Sequence, residues 1–242
     1  MGGRIDLYID LASIYSYVVF VQVLKNQDLL KQHSIEVDFH PVLLGAINAG
    51  SGNTPPWTLP AKAAYGPHDT RRSLRAAGLP HLSVPALDTL LVAARTQLPL
   101  RALHHIKAEH PGAVYLGAWR LLFQAFWDAR APPNTPDALA RALLASPSSS
   151  EKEHPLFTPA QASRIVDSAA SGSPRLKDAL RRSTAEALER GAFGAPWLWV
   201  TNASTGASEP FFGSDRWGHV YEFLGLPYRE LELLPVGKGA KL

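Results

Sequence analysis

The chain has 242 residues, of which 46% are hydrophobic and 19% charged, a balance that suits a water-soluble fold of one or two domains and not a disordered chain or a membrane bundle. The formal charge is only +3, with basic residues spread along the sequence and no basic run interleaved with aromatics, so no nucleic-acid partner is expected. There is no cysteine, which excludes disulfides, a cysteine nucleophile and cysteine-ligated metals.

Met1-Gly2-Gly3-Arg4 leads directly into a strand-like run without the apolar segment and cleavage site of a secretory signal. No stretch is long and apolar enough to span a bilayer, so no membrane partner is expected. From Arg4 to Asp10, Ile5, Leu7 and Ile9 alternate with other residues, the two-residue period of a strand. Ile35, Val37 and Phe39 repeat that period, and residues 15–30 between them are apolar enough for a crossover helix. The result is an opening βαβ unit with its loop near residues 10–14.

Residues 45–61 carry Gly45, Gly50, Gly52, Pro55 and Pro56, which predicts a structured loop or a domain border with no helix through it. Thr135-Pro136, Thr158-Pro159 and Ser173-Pro174 each set a capping hydroxyl before a proline suited to a first helical turn, so the middle of the chain is predicted to be helical. Leu121, Leu122, Ala125 and Phe126 share one helical stripe, and Leu176, Leu180, Thr184 and Leu188 share another that Gly191 ends; both read as core packing. Ser146 to Ser150 reads as an exposed, mobile connection. Beyond residue 195, strands are predicted over residues 197–200 and 209–212, with a turn at 202–206 between them and a helix from Asp215 to Leu224 after them. A βαβ half and a ββα half separated by helices imply an α/β thioredoxin-like domain, residues 1–62 and 186–242, interrupted by an all-helical insertion, residues 63–185.

The nine histidines lack the spacing of a zinc site, so no metal is expected. Neither a nucleotide-binding glycine loop nor the context of a hydrolase nucleophile is present. Ser13 falls where the first strand hands over to a helix, and on its own it reads as an N-cap hydroxyl.

Four separated segments carry a resemblance that spans nearly the whole chain: Tyr8 to Ser16, Ser51 to Lys62, Gly191 to Pro196 and Phe212 to Arg216. Together they resemble the kappa-class glutathione transferases, which share the architecture of the DsbA-type oxidoreductases. The resemblance implies that glutathione is the co-substrate and that Ser13 donates a hydrogen bond to its sulfur, stabilising the thiolate without acting as a nucleophile. It implies further glutathione contacts from Ile14 and Tyr15 beside Ser13, and from Ala195 with Pro196, a cis-proline in this family. Ser214 and Asp215 are implied to receive the γ-glutamyl end, and Asn53 and Lys62 the glycine carboxylate. Ile14 stands where proline is common in the family, and Ala195 where a larger aliphatic is, which bears on the shape of the electrophile site. The implied activity is conjugation to small electrophiles or peroxide reduction. The alternatives are a glutathione-dependent isomerase similar to 2-hydroxychromene-2-carboxylate isomerase, and a non-catalytic glutathione-binding or chaperone-like module.

The family also implies a homodimer, and Trp119, Phe123, Trp127 and Trp217 could supply either its interface or the core. The terminal Ala240-Lys241-Leu242 is a variant of a peroxisomal address, so peroxisomal import is expected; a frayed polar tail is the other reading, and a mitochondrial or cytoplasmic location the alternative.

Overall fold

A computed structural model of the chain describes residues 2–146 and 155–229. Residues 147–150 of the connection expected at 146–150, and the tripeptide 240–242, lie outside the described residues. The chain opens with β1 (Gly3–Ile9), α1 (Ile14–Gln32) and β2 (Ile35–Pro41). Among the described residues, α-helices then follow as α2 (Leu44–Ser51), α3 (Pro60–Ala77), α4 (Leu87–Ala93), α5 (Gln97–Glu109), α6 (Gly112–Phe123), α7 (Pro136–Leu144), α8 (Pro159–Ala170) and α9 (Pro174–Glu189). The chain then returns through β3 (Trp197–Asn202), β4 (Ser208–Phe212) and α10 (Trp217–Phe223). The sheet order is β2-β1-β3-β4, with β1 parallel to β2, antiparallel to β3, and β3 antiparallel to β4. This is a thioredoxin-like sheet with a helical insertion between its halves. The expected boundary at 185/186 falls inside α9, and that at 62/63 in the first turn of α3.

Strand alternation sends Ile5, Leu7 and Ile9 to one face of the sheet, where they are fully buried with Val19 and Phe20 of α1 and Leu198 and Val200 of β3. The inserted helices reach that core through stacked rings: Tyr17 on Phe123 at 4.9 Å and Phe123 on Trp119 at 5.4 Å between centroids. Trp127 donates to the Leu11 carbonyl at 2.9 Å, and the Tyr115 hydroxyl to the Phe39 carbonyl at 2.7 Å. Trp119, Phe123 and Trp127 are therefore core residues, and Trp217 is half-buried with its indole donating to Gln22.

On the opposite face, Tyr8 and Trp197 pack with Val42, Ile47, Ala187 and Ala192 beneath α2 and α9. Beside them Asp6, Asp38 and His40 come within 4.8 Å of one another. These groups are already engaged, because Asp6 pairs with Arg4, His40 and Arg190, and Asp38 with Arg4 and Lys107. Burial works against the Asp6 carboxylate, but hydrogen bonds from His40, Arg4 and Arg190 outweigh it and hold the group well below its ordinary value.

Residues 45–61 differ from the loop read in the sequence. α2 occupies Leu44–Ser51, a short 3-10 turn occupies Pro56–Thr58, and α3 starts at Pro60. A side chain at position 50 would come within 2.7 Å of Leu188, so Gly50 lets α2 close on α9; Gly52, at φ +71°, ends the helix. The caps read at Thr135 and Thr158 form, the latter as a capping box, whereas Ser173 makes no side-chain cap bond.

One buried group and one half-buried group join the insertion to the sheet. Asp10, just past β1, is fully buried and accepts from Ala12 N at 3.0 Å, Leu44 N at 2.7 Å and Thr96 Oγ1 at 2.8 Å. His104 of α5 has its Nε2 3.2 Å from both the Pro41 carbonyl and Ser183 Oγ, which makes the neutral ring with a proton on Nε2 the tautomer that fits. Burial pushes the Asp10 carboxyl up to about 6 against its three donors, and burial pushes His104 down to about 4 against its bond to Pro41.

The linkages have opposite signs. Between pH 3.8 and about 6 the folded chain keeps an Asp10 proton that the unfolded chain has released, so stability falls as pH rises. Between about pH 4 and 6.5 the unfolded chain holds a His104 proton that the folded chain lacks, so stability rises with pH. Each is on the order of 3 kcal/mol, so the two largely cancel. Urea unfolding from pH 4 to 6.5 should show stability rising with pH in Asp10→Asn and falling with pH in His104→Gln. Parallel slopes in the two variants would refute this pairing.

Candidate functional site

The site is built where the β1–α1 turn meets the turn before β3. Ser13 is the N-cap of α1: its extended backbone at φ −93° and ψ 114° turns the chain into the helix, and its Oγ accepts from Ser16 N at 3.2 Å. The same hydroxyl donates to the Ala195 carbonyl at 2.9 Å, across a separation of 182 residues. Both residues are buried, and the Ala195–Pro196 peptide bond is cis. The hydroxyl proton is thus committed to a backbone carbonyl and its oxygen to a helix amide. No acidic residue occupies the first turn of α1, so the positive end of this helix is uncompensated by side chains there.

Asp10 lies beneath this turn. Its backbone carbonyl accepts from Ser13 N at 3.1 Å, while its carboxylate forms the i+2 bond to Ala12 N. The carboxylate also reaches the first residue of α2 and Thr96, the N-cap of α5, so one side chain fixes two helix starts relative to the turn. Sequence reasoning gave Asp10 no role. An aspartate two residues before a small residue at a strand end is a legible turn signal, but Thr96, which supplies the buried hydroxyl, is 86 residues away in the chain.

The other predicted residues fall into two groups. Asn53 is brought to the site: its Nδ2 donates to the Phe193 carbonyl at 2.6 Å and ties the segment after α2 to the loop that carries Ala195. Ile14 is the buried first residue of α1. Tyr15 is directed to α3, where its hydroxyl donates to Asp69 at 2.6 Å and lies 3.2 Å from Thr70. Burial, then the bond to Asp69, pushes that phenol up to about 12, so it stays protonated. Lys62 is exposed in the first turn of α3 and makes no ion pair among the described residues.

Ser214 is buried and Asp215 exposed, and both differ from the expected helix start. α10 begins at Trp217 with Arg216 at its cap, and Asp215 pairs with Arg216 at 2.7 Å. The turn places Gly213 at φ +95° with its amide donating to the Pro196 carbonyl at 3.2 Å, so this segment is attached to the proline.

The chain is 27% identical over 224 residues to glutathione S-transferase kappa 1 of Caenorhabditis elegans, covering 93% of this chain and 92% of that protein. It is 27% identical over 222 residues to glutathione S-transferase kappa 1 of Homo sapiens, covering 91% and 90%. Among solved structures it superposes on 2-hydroxychromene-2-carboxylate isomerase with a TM-score of 0.66 at 20% identity, over 92% of this chain and 94% of that one, a likeness of fold. Residues 4–225 match the family model described as a DSBA-like thioredoxin domain, and the chain therefore belongs to the family of DsbA-like thioredoxin domains.

Proposed function

We propose that this protein is a kappa-class glutathione transferase, which binds glutathione beside the cis-proline and holds its sulfur as a thiolate at Ser13. The observation that carries the reading is the Ser13 hydroxyl, buried at the N-terminus of α1 and 2.9 Å from the Ala195 carbonyl. Similarity over more than nine-tenths of the chain to two proteins named glutathione S-transferase kappa 1 supports it.

The chemistry follows from where the hydroxyl proton goes. In the free protein it rests on the Ala195 carbonyl. A bound cysteinyl sulfur takes that hydrogen bond instead, and the vacated carbonyl accepts from a peptide N–H of the ligand, so no buried acceptor is left without a donor. The α1 dipole favours the negative sulfur, and the serine cannot form a mixed disulfide with it. Conjugation then transfers the sulfur electron pair to an electrophilic carbon. In peroxide reduction the thiolate attacks one peroxide oxygen, the O–O bond breaks and the other oxygen leaves as an alcohol or water after taking a proton from solvent; a second glutathione then condenses with the sulfenic acid to release water and glutathione disulfide. Asn53 braces the Phe193 to Ala195 loop, Lys62 offers a cation to the glycine carboxylate, and Ser214 with Asp215 receives the γ-glutamyl end; Asp215 exchanges Arg216 for the ligand's ammonium.

The protein acts as a homodimer in this proposal, and burial of the large aromatics shifts the interface elsewhere. Leu87, Leu91 and Val92 of α4 are 41%, 50% and 62% exposed and form an apolar face able to meet a second copy. Peroxisomal import through Ala240-Lys241-Leu242 completes the proposal and rests on the tripeptide sequence alone.

Four measurements test these points. An ultraviolet difference titration should show a thiolate band for bound glutathione, and Ser13→Ala should move its apparent pKa up by about 1–2, the worth of a hydrogen bond to a charged group. Conjugation of 1-chloro-2,4-dinitrobenzene at neutral pH should drop about tenfold or more in that variant; saturable binding with no band in either protein would favour a non-catalytic module, and chromene-carboxylate turnover without net glutathione loss would favour an isomerase. Sedimentation should give twice the 26.3 kDa chain mass, and Leu91→Arg with Val92→Asp should return it to one chain. A fluorescent fusion should enter peroxisomes and fail to do so once Leu242 is deleted.

A further inference from the structure

The face of α3 turned toward the start of α1 carries Lys62, Tyr65 and Asp69. Their spacing of three and four residues sets them on one stripe of the helix. The Asp69 carboxylate fixes the direction of that stripe, because one of its oxygens accepts from Tyr15, in the first turn of α1, at 2.6 Å. The other accepts from the Tyr65 hydroxyl at 3.1 Å, so phenols from two helices meet on one carboxylate. They differ in their freedom. Tyr15 is half-buried, and its hydroxyl also lies 3.2 Å from Thr70. Tyr65 is 55% exposed and its bond to Asp69 is open to solvent, so water can take the vacated place on the carboxylate at little cost.

Along this stripe Lys62 stands at the place proposed for the glycine carboxylate, and Asp69 is joined through Tyr15 to the helix start proposed to hold the sulfur. Tyr65 lies between them, with a phenol proton that the proposed binding of glutathione does not use. We propose that Tyr65 is a further catalytic residue, which turns its hydroxyl from Asp69 to the oxygen of an α,β-unsaturated carbonyl substrate as the thiolate adds to it. This rests on the glutathione-transferase reading given above. The sulfur electron pair forms the bond to the β-carbon, and the C=C π pair moves toward the carbonyl oxygen to give an enolate. Tyr65 donates a hydrogen bond to that oxygen, and the α-carbon then takes a proton from solvent, so no oxidant or reductant is needed. The oxygen carries more negative charge in the enolate than in the carbonyl, so the bond strengthens toward the transition state and acts on kcat more than on KM. An electrophile that only expels a halide gives Tyr65 no such oxygen, which makes the phenol a selector among substrates.

The test uses the full chain with glutathione and compares trans-4-phenyl-3-buten-2-one with benzyl chloride, an electrophile that has no oxygen. Tyr65→Phe keeps the ring at an exposed position, and it should lower kcat for the enone about tenfold or more, with a smaller change in KM. The ratio of enone to benzyl chloride turnover should fall with it. An ultraviolet titration of the glutathione thiolate, run on both chains, separates the role of Tyr65 from the reading it rests on. A thiolate band in both chains with an unaltered ratio would overturn the role of Tyr65 alone, as would equal losses on the two electrophiles, which a merely structural part would give. Conjugation of benzyl chloride with no turnover of the enone would do the same. Absence of the band from the unsubstituted chain would overturn the proposal together with that reading.

Discussion

A single carboxylate out of reach of water organises this molecule. Among the described residues Asp10 forms no ion pair; its charge is held by two backbone amides and a hydroxyl, drawn from its own turn, from the start of α2 and from the cap of α5. Burial raises its pKa to about 6, so it sits close to the point at which the protonated form becomes the cheaper one. Each donor belongs to a different part of the chain, so the helical insertion is registered against the sheet at the same place where the β1–α1 turn is shaped. His104 makes a second fastening with the opposite response to protons, so the two linkages offset one another in mild acid.

Above that anchor, two strand ends separated by most of the sequence meet through one hydroxyl. Ser13 belongs to the first half of the sheet and Ala195 to the second, and the bond between them exists because β1 lies between β2 and β3. Asn53 adds a third strand of connection to the same loop, from the end of a helix that a glycine allows to press against α9. The site is thus a seam, held from both sides by backbone groups that a small ligand can borrow.

Much of the frame was legible because it obeys short periods. The alternation of Ile5, Leu7 and Ile9, the cap-and-proline pairs at Thr135 and Thr158, and the stripe from Leu176 to Leu188 each follow from local geometry, and each appears as read. Ser13 as a cap was readable for the same reason. The failures share a cause as well. Residues 44–51 are helical although they are rich in glycine, because a carboxylate 34 residues earlier accepts from the first turn and Leu188 needs the space that Gly50 leaves. α10 starts later than its cap-like residues suggest, because Gly213 is held to Pro196 and Asp215 to Arg216. The partnership of Asp10 with Thr96 is a product of folding alone, with no signature in sequence spacing.

The serine at the head of α1 has an implication beyond its hydrogen bonds. In a chain without cysteine and with a single methionine at position 1, that turn offers oxidants no sulfur of its own. A thiol that visits it can be consumed, oxidised or carried away on a product, and the scaffold is left chemically as it was, with no resolving partner to regenerate and no overoxidised residue to repair. In the proposed function, redox wear would fall on the replaceable small molecule, because the turn itself carries no thiol to lose.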